Sequence, residues 1–174
     1  MTYEPATGVI EVVAHDRDSR LDLVRLFARN LLASEFNNER VPVRRFDLAV
    51  LAQPFSFPND LADGIESVRV NLLRLMPIDG VGERVTLEAM SGLKQTIWEM
   101  AAQRFGENNP LFGGWTITQA RFTIRFKPEA GASRGKTLPL TITKPHGCDL
   151  KDRTERERLI GEKYLRRWGI LQDI

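Results

Sequence analysis

The side chains best suited to covalent chemistry lie in residues 145–152 (PHGCDLKD), where the single cysteine, Cys148, follows His146 by two positions. A nucleophilic thiol needs a base within hydrogen-bonding reach and surroundings that lower its pKa. Side chains two residues apart in a turning chain seldom converge on one point. A structural turn with a half-buried thiol is therefore the favoured interpretation, and Cys148 with His146 is the candidate catalytic pair of a cysteine-dependent enzyme.

A second pattern, AGASRGKT at residues 130–137, differs from the phosphate loop GxxxxGK[ST] by having Ala130 in place of the first glycine. The phosphate loop works because a helix begins at its lysine and aims backbone amides at the phosphates. Here the residues after Lys136 alternate like a strand and include Pro139. The pattern predicts a hairpin connection, and nucleoside triphosphatase activity is not expected.

Metal binding is not expected either. His146, Cys148 and Asp149 do not have the spacing of a known metal site, and one cysteine cannot form a cysteine-based zinc cage. The acidic group Asp60, Asp63 and Glu66 lacks the pattern of a calcium loop. We predict a solvated acidic loop there, and no metal or cofactor.

Non-covalent chemistry is indicated by residues 115–143, which read as two strands with one apolar side and one cationic side. Along the first strand, Phe122 and Ile124 alternate with Arg121 and Arg125, the two-residue period of a half-buried strand. Residues 121–136 contain five cations against one carboxylate, Glu129. A two-residue step along a strand is about 6–7 Å, comparable with the spacing of phosphates, and guanidinium groups bind phosphate in a bidentate manner.

These observations predict a nucleic-acid-binding surface on the hairpin, extended by cations of a C-terminal helix. Its predicted members are Arg121, Arg125, Lys127, Arg134, Lys136, Arg166 and Arg167. The plainer alternative is that these cations pair with acids or are simply solvated. The apolar residues of the same helix, at about 154–168, predict a protein interface instead, and that candidate interaction element comprises Tyr164, Leu165, Trp168 and Ile170.

The elements that would position these groups follow from periodicity and from helix-capping and turn signals. Strands are predicted at residues 8–14 and 46–54, and hairpins at 65–76 with 83–89 and at 115–127 with 137–143. Helices are predicted at 20–36, from Ser91 or Gly92 to about Phe105, and at 154–168. Two consecutive hairpins predict an antiparallel sheet with helices packed mainly on one face, hence an α+β fold.

Composition sets the remaining limits. At 174 residues and 42% hydrophobic, the chain is long enough for one domain spanning residues 1–174. No apolar run approaches the roughly 20 residues that cross a bilayer, and the first residues lack a secretory pattern. A single cysteine excludes an intrachain disulfide, so a cytoplasmic location without membrane attachment is expected.

Three function hypotheses follow. The first is a non-catalytic protein that binds nucleic-acid backbone without base specificity through the hairpin and the C-terminal helix. The second is a subunit or adaptor of a larger protein assembly, or a homo-oligomer. The third is the cysteine-dependent enzyme using Cys148 and His146.

Overall fold

The computed structural model describes residues 1–5, 8–12, 15–16, 19–33, 44–80, 82–90 and 92–173. The chain divides into two compact units, Met1–Val43 and Arg44–Ile174. Helices, a five-stranded antiparallel sheet and smaller sheets are all present, so the predicted α+β class is confirmed.

The first unit contains strands β1 (Thr2–Glu4) and β2 (Val9–Glu11), which pair antiparallel, and helix α1 (Ser19–Leu31). The predicted strand at residues 8–14 corresponds to β2, and its last two residues lie outside the described part. The predicted end of the helix at Phe36 also lies outside it. Helix α1 buries Ala28, whereas Leu26 and Leu31 are exposed.

The five-stranded sheet of the second unit has the order β5-β4-β6-β7-β8, and every neighbouring pair is antiparallel. Its strands are β4 (Ile65–Pro77), β5 (Val85–Glu88), β6 (Trp115–Phe126), β7 (Thr137–Thr143) and β8 (Gly147–Cys148). Both predicted hairpins are therefore confirmed. The long strands β4 and β6 pair with each other and join the two hairpins into one sheet.

Three register shifts interrupt the pairing of β4 with β6 and mark β-bulges. They leave Glu66 and Asn71 as extra residues on β4 and Thr118 as an extra residue on β6. A bulge changes the alternation of side chains, so Val70 and Leu73 both join the core although they are three residues apart. Simple alternation along β4 could not predict this arrangement.

Helices α2 (Ile97–Phe105) and α3 (Glu155–Arg167) contribute to the core on the apolar side of this sheet. Helix α2 begins later than predicted because Thr96 forms its cap: the Thr96 hydroxyl accepts from the Glu99 backbone, and the Glu99 carboxylate accepts from the Thr96 backbone. Helix α3 begins in the same way at Thr154 and Glu157. Its predicted position is confirmed.

The strand predicted at residues 46–54 is wrong. The chain forms a short strand β3 (Arg44–Phe46), paired with β9 (Leu171–Asp173), and then a 3₁₀ helix at Ala49–Ala52. The physical reason is local, since the Asp47 carboxylate accepts a hydrogen bond from the Ala49 backbone at 3.0 Å and turns the chain.

The free edge of β7 is occupied by side chains from the residues that follow it. Pro139 has no N–H to donate, and its carbonyl accepts from Arg153 at 3.0 Å. The Thr141 N–H donates to the Asp149 carboxylate at 2.9 Å. Beyond these contacts, β8 pairs only with Ile142 and Thr143.

An aromatic cluster lies at the centre of the core. The Phe57 ring lies edge-on to Trp168 at 4.9 Å and to Phe122 at 5.9 Å between ring centroids. Phe57 has φ 49°, an unfavourable backbone conformation for a bulky residue. Two indole N–H groups donate to nearby backbone carbonyls. Trp168 donates to Pro58 at 3.0 Å, and Trp98 donates to Leu51 at 2.8 Å.

We expect Phe57→Ala to lower the free energy of unfolding by about 3–5 kcal/mol, because it leaves a cavity between Trp168 and Phe122. Urea denaturation followed by circular dichroism measures this loss. Phe112→Ala is the matched control: Phe112 is 65% exposed, so its change is expected within about 0.5 kcal/mol of zero. Equal effects of the two substitutions would contradict the central role of Phe57.

Candidate functional site

The cationic side of strand β6 is accessible to solvent. Arg121 and Arg125 are exposed, whereas Phe122 and Ile124, on the opposite side of the pleat, are fully buried. The two arginines are four residues apart, about 13 Å along a strand. Strand β6 therefore presents two guanidinium groups on the side of the sheet away from the aromatic cluster.

Strand β4 adds two arginines to the same side. Arg69 lies opposite Thr123 and Arg74 lies opposite Gln119, both positions of β6 that alternate with its buried residues. We call Arg69, Arg74, Arg121 and Arg125 the arginine face. Arg69 and Arg74 were missed in the sequence prediction because the bulges on β4 conceal which of its residues share a side with Arg121.

The cross-strand neighbours of the arginine face are neutral. Arg121 lies between Leu72 and Thr141, and Arg125 lies between Ser67 and Thr137. Polar groups without charge fill the space between them, and Asn71 donates to the Thr123 hydroxyl at 2.5 Å. Opposite-charge pairs, which normally stabilise facing strand positions, are absent from these four pairings.

Two carboxylates lie on strands of the sheet near this face. Glu88 is 3.4 Å from Arg121, and both side chains are about half exposed, so this ion pair is worth at most about 1 kcal/mol. Glu66 occupies the bulge beside Ser67 and forms no ion pair with a described residue. Arg69 donates to the Gln95 carbonyl at 2.7 Å, and Arg125 forms no ion pair within the described part of the chain. The face keeps an excess of positive charge.

Three other predicted members of the nucleic-acid surface lie elsewhere. Lys127, Arg134 and Lys136 line a pocket at the end of the β6–β7 hairpin, beside the first turn of α3. Lys136 also pairs with Glu129 at 3.5 Å. Strand β7 begins directly after Lys136, so no helix follows that lysine, as predicted for a hairpin connection.

The two predicted members on α3 are neutralised by carboxylates. Arg166 pairs with Glu162 at 3.4 Å and with Asp173 at 3.3 Å, and Arg167 pairs with Asp60. This compensation weighs against the predicted part of these arginines in the nucleic-acid surface. Asp60 is distant from Arg167 in sequence, so local charge counting could not reveal that pair.

The predicted solvated acidic loop is likewise engaged with α3. Lys163 lies 2.8 Å from Asp60 and 2.7 Å from Asp63, and the Tyr164 hydroxyl donates to Asp63 at 2.5 Å. Hydrogen bonds from Lys163 and Arg167 lower the pKa of the Asp60 carboxyl to about 2. The same carboxylates raise the pKa of Lys163. These acids hold the loop to the helix.

The four residues predicted as an interface are buried within the chain. Tyr164, Leu165 and Ile170 are fully buried and Trp168 is 2% exposed, and all four belong to the core cluster. Their surface is already covered by this chain, so these side chains do not form the predicted contact surface. Periodicity identified an apolar side of α3 correctly but could not distinguish a core from an interface.

The surroundings of the candidate catalytic pair do not activate the thiol. Burial, together with the negative charges of Asp149 and Glu162, raises the pKa of the Cys148 thiol to about 11. His146 Nδ1 donates to the Arg44 carbonyl at 2.9 Å, which directs this nitrogen to the backbone. A thiol protonated at neutral pH is a weak nucleophile.

Among the described residues, no three His, Cys, Asp or Glu side chains are grouped so that they could hold a metal ion. None of the helices that the structure describes is long and apolar enough to cross a membrane. Comparison with known proteins found no matching family model, no matching curated protein and no matching solved structure. Functional inference therefore depends on the geometry of this chain.

Asp60→Asn should reduce the loss of stability on acidification. A carboxyl with a lowered folded-state pKa stabilises the fold above its unfolded value, near 3.8, and this stabilisation disappears as pH falls towards about 2. We expect the melting temperature of the unmodified chain to fall more steeply between pH 5 and pH 2 than that of Asp60→Asn. The melting temperatures are measured by circular dichroism. An equal fall in both chains would show that the ion pairs of Asp60 with Lys163 and Arg167 contribute little to stability in solution.

Thiol labelling tests the assignment of Cys148. Because burial raises its pKa, we expect slow reaction with a maleimide at pH 7 and a rate that rises steadily to pH 10, compared with free cysteine under the same conditions. A rate that levels off below pH 8 would indicate an activated thiol and restore the enzyme hypothesis.

Proposed function

We propose that this protein binds the phosphate backbone of nucleic acid through the arginine face, without base specificity. The observation that supports the proposal is the set of four guanidinium groups on one side of an antiparallel sheet, opposite neutral cross-strand neighbours. Elsewhere in the second unit, cations such as Arg167 and Lys163 are matched by carboxylates. On the arginine face that compensation is incomplete.

The chemistry of the face suits phosphate. A guanidinium group presents parallel N–H donors that match two phosphate oxygens, and it stays charged at any physiological pH. Threonine, serine and asparagine between the arginines, including Ser67, Thr137 and Thr141, supply further hydrogen-bond donors to a backbone. Contacts of this type position a nucleic acid but carry no sequence information.

The absence of a stacking platform is consistent with backbone binding. Proteins that read single-stranded bases use exposed aromatic rings on which the bases stack. The described cross-strand neighbours on the arginine face are Thr, Ser, Gln, Asn, Leu and Pro. The aromatic ring of Phe122 on β6 is buried on the opposite side of the sheet. We expect weak discrimination between sequences and a strong dependence on salt concentration.

A second candidate function, subunit or adaptor of an assembly, is favoured by a different observation. Helix α1 exposes several large apolar side chains and buries only Ala28 among its described residues: the exposed ones are Leu21, Leu23, Leu26 and Leu31. Several large exposed apolar side chains on one helix favour a protein contact there. This candidate replaces the interface first predicted on α3.

The test is binding of fluorescently labelled single-stranded and double-stranded oligonucleotides to the full chain, measured by anisotropy at several salt concentrations. The double variant Arg121→Glu/Arg125→Glu is expected to bind at least about tenfold more weakly at 0.1 M salt, because two phosphate contacts are lost. The slope of log affinity against log salt should fall by about 2 in magnitude.

Arg45→Glu/Lys151→Glu is the matched control, since it makes the same charge change at two exposed positions outside the arginine face, on β3 and in the turn that contacts α3. It is expected to weaken binding less than threefold. Equal losses in both double variants, or an unchanged slope in the first, would contradict the proposal. Light scattering on the same samples separates the two functions: an oligomer that does not bind the oligonucleotides supports the assembly subunit.

A further inference from the structure

The pocket at the end of the β6–β7 hairpin adjoins the arginine face at Thr137, the cross-strand neighbour of Arg125. It has a volume of about 550 Å³, within the range of small-molecule sites, and lies between the residues that connect β6 to β7 and the first turn of α3. None of the four arginines of the arginine face lines it. Its walls come from the hairpin end, from residues 62–64 and from α3.

The geometry of the hairpin end is fixed by the backbone. Lys127 donates its N–H to the Gly64 carbonyl at 2.7 Å, and Phe126 donates to the Lys136 carbonyl at 2.9 Å. At Gly135 a side chain would collide with the Phe126 carbonyl, so the two arms meet at a position that only glycine can occupy. One wall of the pocket is thus attached both to the strand and to the loop preceding β4.

The charged side chains that line the pocket differ in whether they are paired within the protein. All three lining carboxylates are engaged within the protein: Asp63 by Lys163 and Tyr164, Glu129 by Lys136, and Glu157 by the Thr154 cap. Of the four lining cations, Lys127, Arg134 and Arg156 form no ion pair with a described residue. The neutral donors of the Thr154 cap leave Glu157 negatively charged, so within the described part of the chain the pocket carries three unpaired cations against one unpaired carboxylate.

The same pocket has an apolar wall. Phe126 and Ile160 are partly buried and pack against the core, and they line the pocket together with Pro128 and Ala132. The first turn of α3 lies at the pocket, so the positive end of the helix dipole adds to the potential of the cations. A ligand that satisfies all these groups has an anionic head and an apolar body.

We propose that this pocket binds a small organic anion, a carboxylate or a phosphate ester attached to an aromatic or aliphatic body. Arg134 and Arg156 hold the anionic head, since guanidinium groups match both head groups in a bidentate manner. The apolar body lies against Phe126 and Ile160. Lys136 contributes less, because Glu129 already neutralises it.

Isothermal titration calorimetry on the full chain tests the site with four probes: 1-naphthyl phosphate, 1-naphthoate, naphthalene-1-methanol and inorganic phosphate. We expect at least one of the two naphthyl anions to bind, and the neutral alcohol and inorganic phosphate to bind at least tenfold more weakly. Whichever anion binds more tightly identifies the head group. Failure of both anions to bind at 1 mM, or equal affinity for the alcohol or for inorganic phosphate, overturns the proposal.

Substitutions at the pocket test where the naphthyl anion binds. Arg134→Gln/Arg156→Gln is expected to weaken binding of the preferred naphthyl anion at least tenfold, with its melting temperature unchanged, since both side chains are exposed. The control Lys94→Gln/Arg104→Gln should bind within twofold of the unmodified chain. Arg121→Glu, which changes the arginine face at the residue farther from the hairpin end, should also retain the naphthyl anion, so this site is tested independently of the nucleic-acid surface. Undiminished binding by Arg134→Gln/Arg156→Gln overturns the assignment.

Discussion

The rest of the second unit depends on one constraint, the opposite directions taken by successive side chains of strand β6. Phe122 and Ile124 are driven out of water into the core, and the pleat then directs Arg121 and Arg125 to the other side. The aromatic rings of Phe57 and Trp168 contact Phe122 and fill the space beneath it. Packing on one side of the sheet thereby determines where the guanidinium groups lie.

Helix α3 covers the apolar side of the sheet and also forms ion pairs with the loop preceding β4. Its inner side supplies Tyr164 and Trp168 to the core, while its outer positions Lys163 and Arg167 hold Asp60 and Asp63 of the loop preceding β4. Most of the cations of this helix are paired with carboxylates of the same chain. The net charge of a segment is therefore a poor guide to its affinity for anions, because the compensating acids come from distant positions.

Much of the fold could be predicted from the sequence where the signals are local. Both hairpins and helix α3 follow from alternation and from capping residues, and the inner and outer sides of β6 follow from its period. The strand predicted around Leu51 is wrong because the Asp47 side chain bends the chain, and the outward positions of Arg69 and Arg74 depend on bulges that only the pairing with β6 reveals.

The candidate site was predictable only in part. Arg121 and Arg125 lie together on a common side, as their spacing indicates. Lys127, Arg134 and Lys136 line a pocket at the hairpin end because the hairpin contacts Gly64 and lies beside α3, and Arg167 is neutralised by Asp60. Such outcomes depend on contacts between segments that are far apart in sequence, and periodicity contains no information about them.

The protected edge of β7 has a consequence for behaviour at high concentration. An unpaired strand edge can recruit the edge of another molecule and begin fibril growth. Here Pro139 offers no donor, Arg153 occupies its carbonyl, and Asp149 occupies the Thr141 amide. This edge therefore offers few free backbone groups to a strand of another molecule, so the growth of aggregates from it is disfavoured.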